Sequence, residues 1–88
     1  MPDPQPPSYL QAPGKSFWRD IVKVYKLPPQ DLRRLEICCD CLDRIAQARK
    51  VLADGFDRAA MNAWRDSAKV FLSATRAMGI DADPEGGK

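Results

Sequence analysis

Apolar positions recur with a helical period in three stretches of the chain, and no stretch keeps the two-residue alternation of a half-buried strand. In the first, Trp18, Ile21, Val22 and Tyr25 share one face at about 100° per residue. Lys15, Arg19, Lys23 and Lys26 share the adjoining face. This predicts an amphipathic helix over about 15–26. Pro28 ends it, and Pro29 suits the first turn of the next helix, with Asp31 near its positive end. In the second stretch Leu32, Leu35, Cys39, Leu42, Ala46 and Arg49 step by three and four, with Ile45 and Leu52 widening the stripe. That predicts a helix over about 29–53, stopped at Gly55. The third stretch repeats the spacing with Met61, Trp64, Ala68, Phe71, Thr75 and Met78. Its helix is expected over about 57–78, closed by Gly79 with Ile80 just beyond. The short Asp54-Gly55-Phe56 link folds the second and third helices into an antiparallel hairpin. Trp18, Ile21 and Tyr25 should then pack the short first helix onto it. The expected fold is all-α.

The flanks read differently. Pro2, Pro4, Pro6, Pro7 and Pro13 make residues 1–13 a flexible, disordered arm, with Tyr9 and Leu10 placed to tack it onto the body. Residues 81–88 form a flexible polar tail. At 88 residues the chain holds a single small domain over about 14–80, whose modest core makes self-association a natural source of stability. No apolar run approaches the roughly twenty residues of a membrane span, so no membrane partner is expected. No basic-then-apolar leader is visible either. Three cysteines within four positions cannot build a disulfide framework, so a reducing cytoplasm is the simpler setting.

The chemistry follows from what the pattern leaves out. There is no histidine, no glycine-rich phosphate loop and no nucleophile–base spacing, so no catalytic residue is assigned and the protein reads as non-enzymatic. Zinc needs separated ligand pairs, which Cys38, Cys39 and Cys41 do not supply, so neither metal nor cofactor is expected. Cys38 and Cys39 point toward the core, whereas Cys41 is expected to face away with Ile37 and Ala48, exposed or at a subunit contact.

Charge adds a surface. The chain carries a net +2, but residues 15–76 hold thirteen Lys/Arg against eight Asp/Glu, and the ends are acidic. Arg58, Arg65, Lys69 and Arg76 are spaced 7, 4 and 7 apart, which sets them within roughly 40° of one line on the third helix. With Lys15, Arg19, Lys23 and Lys26 they are candidate contacts to DNA phosphates. The bland alternative is a solvated face whose long side chains flank the core. Glu36, Asp40, Asp43 and Asp54 fall within about 60° of one another on the second helix. If the two stripes point outward on opposite sides, one copy's acidic stripe can meet the next copy's basic stripe and close a ring. If they lie side by side, they form only weak surface pairs. The third helix also has a second apolar facet of Ala59, Ala63, Val70, Ala74 and Ala77, which asks for a further neighbour. The candidate oligomer interface is thus Glu36, Asp40, Asp43, Cys41, Ala63, Val70 and Ala74.

Pro13-Gly14, the Trp18, Ile21, Tyr25 and Leu27 spacing, Asp31 with Leu35, Cys38, Leu42-Asp43-Arg44, Ala48 and Leu52-Ala53-Asp54-Gly55 resemble the small terminase subunit of tailed phages, more narrowly a short group found in many prophages. Phe71-Leu72 and Met78-Gly79-Ile80-Asp81 resemble that family's last helix and its exit, so the likeness spans about residues 13–81. One departure is the direct passage from Phe56 to Asn62, where family members commonly carry a longer segment. The resemblance implies a ring that recognises double-stranded viral DNA at the packaging start and recruits or regulates the large subunit, which holds the ATPase and nuclease. It also implies the cytoplasm of a bacterial host. A helical protein-binding adaptor without a nucleic-acid role is the alternative reading.

Overall fold

A computed structural model describes residues 4–80. The expected tail over 81–88 and the first three residues lie outside them. Three helices follow in order: α1 (Ala12–Val24), α2 (Pro29–Ala53) and α3 (Arg58–Met78). The fold is all-α, with α2 and α3 forming a long antiparallel hairpin and α1 lying along α2.

α1 starts and stops earlier than the periodicity suggests. Pro13 sits in its first turn, where the missing N–H costs nothing and the fixed φ is already helical. At the other end Tyr25 turns extended (φ −113°, ψ 136°), and the chain stays extended into Pro28, which disfavours helical backbone in the residue before it. Tyr25 therefore leaves the packed face and is exposed. Phe17 takes its place. Its ring meets Phe71 of α3 at a centroid distance of 5.5 Å and an interplanar angle of 57°, a tilted arrangement favoured by ring quadrupoles.

The chain ahead of α1 is placed by specific contacts. Leu10 is buried in the core, Trp18 Nε1 donates to the Pro4 carbonyl at 2.9 Å, and Tyr9 Oη donates to Glu36 Oε2 at 2.6 Å. Prolines remove backbone donors but leave carbonyls free to accept, which is how Pro4 satisfies the buried indole.

α2 is the centre of the molecule because it packs on both sides. Toward α1 it contributes Leu35 and Cys39 to a cluster with Leu10, Trp18, Ile21 and Ile80. Toward α3 it contributes Cys38 and Cys41 to a cluster with Phe71. Serving two neighbours widens its buried arc past what a single stripe would give. Cys41, expected to face away, is accordingly 5 % exposed and packed within its own chain, and Ala48 is buried as well. Cys41 is removed from the candidate subunit interface on this ground. Ile37 does face solvent, and Arg49, placed on the apolar stripe by its spacing, is exposed.

α3 is capped at both ends. Asp57 accepts from the Ala60 amide at 2.8 Å. At the far end Gly79 adopts the left-handed conformation (φ 74°), its amide reaches the Arg76 carbonyl, and the Ile80 amide reaches the Thr75 carbonyl. This pairing is a Schellman motif, and it turns Ile80 back into the core.

Candidate functional site

The charged residues sort into three surfaces once the helices are packed. The first lies where α1 meets α2 and is structural. The Asp43 carboxylate accepts from the Gln11 amide at 2.7 Å with one oxygen and from the Gly14 amide at 2.8 Å with the other. Gln11, the residue at the helix start, makes no side-chain cap of its own. The unpaired amides at the N-terminus of α1 are thus satisfied by a carboxylate from another helix, favourably placed for the positive end of the helix dipole. This approach requires Gly14 to be glycine. A Cβ there would stand 2.8 Å from the Cys39 carbonyl oxygen and 2.9 and 3.0 Å from the Asp43 carboxylate oxygens. Nothing in the charge pattern singles out Asp43 for this role. The available signal is Gly14 itself, a costly residue just inside a helix.

Glu36 of the same acidic stripe is engaged by Tyr9, and Asp40 pairs with Arg44 at 3.0 Å along α2. The stripe does point away from α3, as the ring arrangement asks. All three acidic interface residues, Glu36, Asp40 and Asp43, are nevertheless engaged within the chain. The hydrogen bond to Glu36 pushes the Tyr9 hydroxyl up to about 12, with desolvation adding a smaller part. Burial likewise pushes the Cys38 and Cys39 thiols up to about 12 and raises Cys41, so all three free cysteines are poor nucleophiles.

The second surface is cationic. Arg58, Arg65, Lys69 and Arg76 are all exposed, about 140° around α3 from the buried Phe71. The ion pairs among the described residues, Arg34–Asp31 and Arg44–Asp40, both lie within α2, so none of the four is neutralised by one. The α1 cations do not join this row. Arg19 and Lys23 are exposed and Lys15 half-buried, and all three lie on the side of α1 away from Phe17, the α1 residue that touches α3, while Lys26 is exposed in the extended chain beyond the helix. The two basic sets therefore face different directions.

The third surface is a groove between α2 and α3 on the side of the hairpin away from α1, with a cavity of about 520 Å³. Ala48, Val51, Ala59, Ala60 and Ala63 supply its apolar lining, and Arg44 and Asp66 stand on opposite banks. Val70 is 46 % exposed and Ala63 exposed on the same flank of α3, with Ala74 half-buried. This is the second apolar facet of α3, largely left open by the described residues.

Among the described residues no three or more of His, Cys, Asp and Glu could hold a metal ion, and no helix is long and apolar enough to cross a membrane. No family model matches the chain, and neither a curated protein nor a solved structure matches it.

Proposed function

We propose that the chain is the small, non-catalytic subunit of a phage DNA-packaging terminase. In this reading it works as a homo-oligomer, meets the phosphates of double-stranded DNA through the cation row of α3, and recruits or regulates the large ATPase/nuclease subunit. The observation that carries the DNA-binding part is that row: Arg58, Arg65, Lys69 and Arg76 are aligned, exposed and free of ion pairs among the described residues. At 1.5 Å per residue their steps along the axis are about 10, 6 and 10 Å, a straight charged edge suited to backbone contact. Long cationic side chains dominate the row, so the binding we propose there is to the phosphate backbone and is sequence-tolerant. The packaging context comes from the resemblance of residues 13–81 to the small terminase family.

Fluorescence anisotropy with a labelled duplex tests the reading. Four phosphate contacts give a dependence of log affinity on log salt of about −3 to −4, and Arg65→Glu with Lys69→Glu reduces that slope by about 2. Absence of binding at low salt would refute the DNA-binding role and favour the helical adaptor, for which the uncovered α2–α3 groove is the supporting feature. Co-purification with the terminase large subunit tests the packaging assignment separately.

A further inference from the structure

We infer that the α2–α3 groove is a self-pairing surface that takes the same groove of a second copy about a two-fold axis parallel to the hairpin. The inference draws on the self-association in the proposed function and owes nothing to DNA binding.

The register of the hairpin supports this arrangement. Cys38 Sγ lies 3.9 Å from the Phe71 carbonyl oxygen, so the two residues are level. Six residues on from Cys38 along α2 and five back from Phe71 along α3, Arg44 and Asp66 reach nearly the same height on opposite banks of the groove. A two-fold axis along the hairpin lays α2 of one copy over α3 of the other without changing height. Each Arg44, which also pairs with Asp40 of its own helix, then faces the other copy's Asp66, and the contact occurs twice. An axis across the hairpin at the same height would instead set α2 over α2 and Arg44 against Arg44. Charge therefore selects the parallel axis.

The groove floor suits a protein occupant. Ala48 is buried and Ala59, Ala60 and Ala63 are small, so helix backbones can approach closely, while Val51 and Val70 remain 39 % and 46 % exposed. Ser67 lines the same groove at 7 % exposure. The product is a four-helix unit with the two α1 helices outside. By symmetry the two cation rows of α3 end up on opposite flanks, both still open.

Two single variants test the reciprocity. Arg44→Asp leaves two acids on its groove and Asp66→Arg leaves two bases, so each alone should weaken self-association about tenfold or more. Mixed in equal amounts, the two variants should recover a dimer, because every pair across the two-fold axis is again opposite in sign. Sedimentation equilibrium reads the masses, and circular dichroism checks that each variant is folded. Val70→Asp, at an exposed site, should abolish the dimer independently. A wild-type monomer at about 100 µM, where even weak specific dimers populate, overturns the pairing. So does a mixture that stays monomeric, or an assembly whose mass is unchanged by all three variants. In that last case self-assembly and the terminase reading would stand while the groove contact would fall.

Discussion

Replacing Gly14 with alanine tests the tightest junction in the molecule. On helix propensity alone the change should stabilise α1 by about 1 kcal/mol. The packing opposes it. The new methyl group would sit 2.8 Å from the Cys39 carbonyl oxygen, a backbone atom inside α2 that cannot move without disturbing the helix. It would also sit 2.9 and 3.0 Å from the Asp43 oxygens, which would have to abandon the Gln11 and Gly14 amides to make room. Forcing a methyl into such a site costs about 1–3 kcal/mol, and the lost amide bonds add to that. The net expectation is a loss of about 1–2 kcal/mol, or a fall in Tm of about 5–10 °C for a domain of this size. Urea unfolding followed by tryptophan fluorescence measures it, since Trp18 lies in the cluster that α1 completes. A double-mutant cycle with Asp43→Ala sharpens the result. Asp43→Ala alone should cost about 1–2 kcal/mol, discounted for its partial exposure, and the pair should cost less than the sum by about 0.5 kcal/mol or more. A Gly14→Ala protein as stable as wild type would refute the close approach. Strict additivity would refute Asp43 as the group that holds the start of α1.

Three further outcomes follow from the same geometry. Ellman's reagent at pH 8 should find no fast thiol in the native protein and three in denaturant, because burial raises Cys38, Cys39 and Cys41; one fast native thiol would place Cys41 outside the core. Gly79→Ala should destabilise by about 1 kcal/mol through the left-handed backbone at φ 74°, read as a shift of the urea midpoint at constant slope. In a Tyr25→Phe background, ultraviolet titration should show Tyr9 ionising near 12, moving down toward 10 in Glu36→Gln. The neutral phenol is the form favoured in the fold, so this contact contributes fully below pH 10 and is lost as pH rises through 12.

The helical architecture was legible because each element carries its own punctuation. Pro28-Pro29 divides α1 from α2, and Gly79 with Ile80 closes α3 where the periodicity ends. Misreadings arose where one helix serves two neighbours. Cys41 and Ala48 look peripheral on a one-sided helix, but α2 is sandwiched, so both are buried. Spacing alone puts Tyr25 on the packed face and leaves out Phe17, because it does not reveal that the chain straightens ahead of Pro28. The alignment of the α3 cations follows from spacing alone and holds in three dimensions. Their separation from the α1 cations does not, because it depends on how α1 is rolled against Phe71.

The carboxylate that crosses from α2 to the start of α1 sets an order of dependence within the fold. α1 has thirteen residues and no capping side chain of its own, close to the length below which an isolated helix is marginal in water. Its first turn becomes favourable only when Asp43 is already held at the right height, which requires α2 to be formed. The hairpin, by contrast, carries its own cap at Asp57 and its own Schellman stop at Gly79. α1 is therefore expected to settle after the hairpin that follows it in the chain, and to be the first element to open when the protein loosens.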